Sequence, residues 1–298
     1  MVSGMRSILA CEAVAKINVR LLERYLSVAF RTLELGRLSF SEVAEVAATN
    51  PVLLIPMGTM EQHGPHMPVN ADNMVAEFVA TKASEQTGAF VAPGLNYGCS
   101  DVFRNFAGTV SIQHDTLARL LEEVCEGYIK HGFRRIVFVN NHGGNEIVIE
   151  RVARILRKRH GMLVGSVYPW SLGYALMRDQ YEDVDKAYGH GAEPETSAML
   201  AMFPEDVTLD RLETGNFQKF QGWDASSYAK VRIPGQSVPG TVYFESDDIA
   251  PNGVTGDGSN GTKEIGEVWI ERVVGFAVAF VKEFDERTKN EAWAKSDQ

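Results

Sequence analysis

The chain has 298 residues, 45% of them apolar and 23% charged, with a formal net charge of -10. These are ordinary globular proportions, which argue against disorder or a fibrous repeat. The negative charge argues against a nucleic-acid backbone or an anionic membrane surface as partner. A small molecule is the expected ligand, and the length suits one large α/β domain or two smaller ones.

Residues 1–35 are predicted to form an amphipathic helical extension. Ile17, Leu21, Leu22, Tyr25, Leu26 and Phe30 follow helical spacing, while Arg6, Glu12, Lys16 and Arg20 interrupt any signal-peptide or membrane-spanning run. Such a stripe would dock on its own domain or on a neighbouring subunit. No linker composition or internal repeat divides the remainder, so residues 36–298 are read as a single domain. Cys11, Cys99 and Cys125 stand apart without a CxxC pair, which points away from a disulfide framework and toward a reducing cytoplasm.

Four short apolar runs, at 52–56, 90–93, 135–140 and 162–167, have the little-alternating character of parallel strands covered on both faces. Segments of helical period separate them, at 74–84, 116–130 and 146–159, with Asp72 and Asn145 as N-caps and with Gly132 and Gly161 as stops. A last helix at 263–284 carries Ile265, Val268, Trp269, Val273, Phe276 and Phe280 on one stripe. Between 203 and 257 the pattern weakens to hints of strand at 230–233 and 241–244. The alternation of strands and helices predicts an α/β fold with a mainly parallel central sheet.

Ligands of open parallel sheets sit beyond the carboxyl ends of the strands. GTMEQHG (58–64) follows the first strand and NNHGGN (140–145) follows the third. GHGAEPETS (189–197) opens a helix, with Pro194 suited to its first turn. Together these segments and the nearby Asp72 supply Glu61, His63, Asp72, His142, His190, Glu193 and Glu195. This carboxylate and imidazole set, free of cysteine, suits catalytic zinc, manganese or iron(II). Each residue also has a plainer role. Asp72 fits a helix cap, Gly143-Gly144-Asn145 a tight turn or an anion-binding nest, and Glu193 and Glu195 a helix dipole. Their joint occurrence at strand ends favours the metal reading.

PMGTMEQHGPHMPVNAD, GTVSI, HGFRRIVFVNNHGGN, HGAEPETSAML and GVTGDG, in this order and spacing, resemble the creatininase (creatinine amidohydrolase) family from about Leu38 to the C-terminal helix. The resemblance implies a three-layer α/β/α sandwich, a site for two divalent ions per subunit, and a homohexamer built as a trimer of dimers. It also implies hydrolysis of a C–N bond in a small cyclic amide, formamide or peptide. Matched residue by residue, Glu61, Asp72 and His142 hold one metal and His63 with the bridging Asp72 holds the second. Zinc is expected first, with manganese or iron as alternatives. Creatininase itself places a Glu where this chain has Gly144, so Glu193 is assigned as the missing ligand. His190 matches the catalytic histidine, Glu195 is expected to orient a neighbour, and His66 is expected to stand behind the ligands.

Two cations would acidify a shared water into the attacking hydroxide and polarise the scissile carbonyl, and His190 or a nearby carboxylate such as Glu193 would protonate the departing nitrogen. The loop GCSDVFRNFAGT departs from the family pattern, with Phe103 and Arg104 where many relatives have histidine and Ala107 in place of proline. Phe103, Arg104 and Trp170 are therefore the candidate substrate contacts, Arg104 toward a carboxylate or phosphate. Two other readings stand beside the amidohydrolase: a lactonase or esterase using the same metal pair, and a non-catalytic small-molecule-binding member.

Overall fold

The computed structural model describes residues 30–290, and nearly all of the expected N-terminal helical extension lies outside these residues. Of these, residues 34–290 form one compact unit. Its helices are α1 (Phe40–Ala48), α2 (Ala71–Thr87), α3 (His114–Lys130), α4 (Glu146–His160), α5 (Pro169–Leu176), α6 (Val184–Ala187), α7 (Glu195–Met202), α8 (Ser246–Ile249) and α9 (Lys263–Thr288). Its strands are β1 (Val52–Met57), β2 (Phe90–Val91), β3 (Arg135–Asn140), β4 (Val164–Val167), β5 (Lys219–Phe220), β6 (Trp223–Ser227) and β7 (Lys230–Arg232).

β1 to β4 form a parallel sheet in the order β2-β1-β3-β4. Every residue of β1 and β3 is buried, which explains the apolar runs Val52–Met57 of β1 and 136–139 of β3. Val52 and Leu54 of β1, with Val137 and Val139 of β3, pack into a core shared with α2, α5, α7 and α9. The alternate residues Leu53, Ile55, Ile136 and Phe138 are equally buried on the opposite face. There α3 and α4 pack against each other as right-handed crossovers require. The result is a three-layer α/β/α sandwich. No described helix is long and apolar enough to cross a membrane.

The chain runs from β1 outward to β2, then returns past β1 to β3 and continues to β4. The order therefore reverses between β1 and β3, and a crevice opens at their carboxyl ends. Both ligand-bearing loops, 58–64 and 140–145, leave from that point.

Several boundaries differ from the sequence expectation. α2 begins at Ala71, with Asn70 at its N-cap, so Asp72 lies inside the first turn and does not cap it. Asn145 makes no capping bond either. Its amide oxygen accepts from the Cys99 N–H (3.0 Å), and its amide nitrogen donates to the Gly58 carbonyl (3.0 Å) and to Asn140 Oδ1 (3.1 Å). It thereby clamps three loops together. Gly161, at φ 68°, does end α4, and the first strand hint in the weak region becomes β7, whereas 241–244 does not form a named strand.

The buried face of α9 is Trp269, Val273, Val274, Ala277, Val278 and Val281, while Phe276 is exposed. Trp269 meets the ring of Trp170 edge-on at 5.6 Å, and a Cβ on Gly173 would fall 2.1 Å from Trp269 Nε1. Only glycine lets α5 approach α9 this closely, which fixes Trp170 over the crevice. The strands β5 to β7 form a separate antiparallel sheet, packed on a small core of Ala225, Val231, Phe244 and Ile249.

Candidate active site

A cavity of about 330 Å3 opens at the β1/β3 reversal. Glu61, His63, Asp72, His142 and His190 line it, together with Glu195 from the start of α7. The Glu61, Asp72 and His142 ligand atoms lie within 4.8 Å of one another, as do those of Glu61, His63 and His190.

The hydrogen bonds orient these donors. A backbone carbonyl can only accept, so His63 Nδ1, 3.0 Å from the Glu61 carbonyl, carries a proton. Its Nε2 then faces Asp72 Oδ1 at 3.2 Å. Likewise His142 Nε2 donates to the Cys99 carbonyl at 2.8 Å, which turns Nδ1 toward Asp72 Oδ2 at 3.1 Å and Glu61 Oε2 at 3.4 Å. Trp170 Nε1 donates to Asp72 Oδ1 at 2.8 Å, and the Ser100 hydroxyl donates to Glu61 Oε2. Asp72 Oδ2 is buried without an aligned donor.

In neutral imidazoles the cavity-facing nitrogens would be lone pairs pointed at carboxylate oxygens. That arrangement is repulsive unless a proton or a cation stands between them. The titration tendencies express the same demand. Burial opposes the charged forms of His63 and His142, yet Asp72 pushes His63 up to about 10, and Glu61 with Asp72 pushes His142 up to about 9. Burial also works against ionised Asp72, but His63 and His142 hold its carboxyl well below the usual range. Burial raises Glu61. The donor set therefore fits a divalent cation, with ligand types and second-layer bonds that a catalytic metal uses.

His190 donates from Nε2 to the Gln62 carbonyl at 2.6 Å and lies between the His63 ring, 4.6 Å away, and the Phe103 ring, stacked at 4.3 Å. Burial and the neighbouring His63 pull it down to about 3. His66 stands behind the cavity, its Nε2 3.0 Å from Thr196 Oγ1, and burial keeps it neutral.

Three expected residues are placed differently. Glu193 does not line the cavity. Its Oε2 accepts from Tyr181 (2.5 Å), and its Oε1 lies so near Gly261 that a Cβ there would come within 2.4 Å. Glu195, expected only to orient a neighbour, lines the cavity. It accepts from Tyr174 and from the Gly191 N–H, both at 2.9 Å, and burial pushes it up to about 7. Arg104 is exposed and pairs with Glu245 Oε1 at 2.7 Å, away from the cavity, because its position after the turn Asp101–Phe103 aims it outward. Phe103 and Trp170 do line it. Gly144 offers no room for a ligand, since a Cβ would fall 2.0 Å from the Cys99 carbonyl oxygen.

Sequence reasoning missed Ser100, Asn145 as a clamp, and the tyrosine wall of Tyr174 and Tyr228. Tyr228 sits between β6 and β7, in the weakly patterned region, where no sequence signal marks it.

The creatininase family model, creatinine amidohydrolase, matches residues 36–281. The creatinine amidohydrolase of Pseudomonas putida is 30% identical over 266 residues, spanning 84% of this chain and 96% of its own length. The mycofactocin precursor peptide peptidase of Mycolicibacterium smegmatis is 35% identical over 234 residues, spanning 76% of this chain and 83% of its own length. A solved creatininase variant described as Zn-Zn type superposes with a TM-score of 0.68 at 29% identity, covering 86% of this chain and 99% of that structure. By these matches the chain belongs to the creatininase family of hydrolases.

Proposed function

We propose that this protein is a metal-dependent amidohydrolase that cleaves a C–N bond of a small amide, with residues 36–298 as its catalytic domain. One observation carries the reading: His63 and His142, each held by a backbone carbonyl, direct their free nitrogens at Asp72 and Glu61 within one buried cavity. Glu61, Asp72 and His142 would hold one cation, and His63 with Asp72 a second. Glu195, which lines the cavity where Glu193 does not, would complete the second set of ligands. When bound, zinc, manganese or iron(II) would supply the positive charge that acidifies water and polarises a carbonyl.

The chain's own residues do the rest. Trp170 and Ser100 fix the Asp72 and Glu61 carboxylates so that their remaining oxygens stay in the cavity. The Phe103 ring and the Gln62 carbonyl hold His190 in the cavity wall with Nε2 protonated, which leaves Nδ1 to take up a proton from water and relay it to a departing nitrogen. The names of two relatives, an amidohydrolase and a peptidase, both denote amide cleavage. Assembly as a homohexamer belongs to the same proposal and is read by light scattering.

The test is elemental analysis of protein purified without chelator, joined to assays of matched lactam and lactone pairs. About two divalent ions per chain are expected, with lactam hydrolysis abolished by chelation and restored by metal. Failure to take up metal after reconstitution overturns the reading, and turnover of lactones alone reassigns it to an esterase.

A further inference from the structure

The cavity wall has a charge character that the hydrolytic centre does not explain. Beyond the proposed ligands its lining includes the aromatic rings of Phe103, Tyr168, Trp170, Tyr174 and Tyr228, and among the described residues no lysine or arginine lines it. Arg104, the nearest basic residue in the loop, is committed to Glu245 at 2.7 Å. Asp101 lines the same cavity from an exposed position at its lip. Its Oδ1 accepts from Ser111 Oγ at 2.8 Å, and Ser111 Oγ in turn accepts from the Ser100 N–H at 2.9 Å. Ser100 is the residue whose hydroxyl holds Glu61. The Asp101 carboxylate is therefore tied to the frame of the site.

A carboxylate beside aromatic faces, without a paired cation, attracts positive charge through both its own field and the ring quadrupoles. It repels an anion, whose usual partners are arginine and lysine. The volume, about 330 Å3, lies at the small end of the roughly 300–1,000 Å3 range of ligand pockets.

We infer that the substrate is a small amide bearing a positively charged group, and that Asp101 is the residue that selects for that group. The inference rests on the proposal that this cavity is the hydrolytic site. Phosphorylated or carboxylate-bearing amides are correspondingly excluded.

The experiment uses metal-loaded, full-length protein and three five-membered lactams that differ in one substituent: an ammonium, a hydroxyl or a carboxylate. Binding is measured by calorimetry and turnover as kcat/KM. The ammonium compound is expected to bind best and the carboxylate worst. D101N is expected to reduce the ammonium-over-hydroxyl preference by roughly fivefold, and D101K to invert the order. Equal or better binding of the carboxylate, an unchanged preference in D101N, or no binding of any of the three at millimolar concentration overturns the inference. If the binding order holds but none is hydrolysed, the amidohydrolase reading fails and the charge selection stands.

Discussion

Trp170 donates its indole N–H to Asp72 Oδ1 across 2.8 Å, joining the helix after β4 to the helix after β1. The ring is in turn set by Trp269 on α9. A C-terminal helix remote in sequence thus orients the carboxylate most central to the site. W170F keeps the apolar packing and removes the donor. Metal affinity is expected to fall by about 10–100-fold, the usual effect of losing such an orienting bond. Competition with a chelating dye measures it, and an unchanged affinity would dismiss the orienting role.

Glu193 and Glu195 are separated by one residue and face different surroundings. E195Q is expected to lower metal content per chain, whereas E193Q retains it. Burial raises Glu193 to about 7, so its ionisation above that pH opposes folding. E193Q is therefore expected to gain stability relative to the parent protein as pH rises from about 4.5 to about 7, and to hold that gain above it. Elemental analysis and urea unfolding of both variants separate the roles. Metal loss in E193Q with retention in E195Q would reverse the assignment.

Gly144 lies against the Cys99 carbonyl. G144A is expected to cost about 2–3 kcal/mol through forced backbone displacement, and G144E to destabilise similarly without adding a metal ligand. Gly127, on α3 with open space around its Cβ, provides the control. G127A is expected to stabilise by roughly 0.5–1 kcal/mol. Equal effects at the two positions would show that the loop yields.

The metal-free protein has a predictable pH dependence. His63 and His142, pushed up to about 10 and about 9, both exceed the ordinary imidazole value near ~6.5. Their protonation favours the folded state, so this contribution is complete below about pH 6.5 and is lost as pH climbs through 9 to 10. Metal must displace those protons, so affinity rises across the same interval. Urea midpoints of chelated protein at pH 6 and pH 9, with zinc titrations at both, test the pair of trends. A flat profile in both measurements would contradict it.

β1 and β3 were legible because burial on both faces leaves a continuous apolar run, and α4 because Gly161 stops it where a left-handed residue is needed. Glu61, His63 and His142 stood out for a related reason: polar residues that directly follow buried strands fall where a parallel sheet collects its ligands. Asp72 was harder, since a carboxylate near a helix start serves equally as cap or ligand. The structure places it inside the first turn with Trp170 and both histidines around it.

By itself, then, the sequence determined the α/β architecture and the residue types that converge at its strand ends, because period, strand burial and turn chemistry are local properties of the chain. The tertiary structure alone decided which of two neighbouring glutamates faces the cavity, that Arg104 turns outward to Glu245, that Gly144 is closed to any side chain, and that Asp101 stands at the lip. Each of these depends on the direction of a side chain relative to elements far away in sequence, and no local pattern encodes that direction.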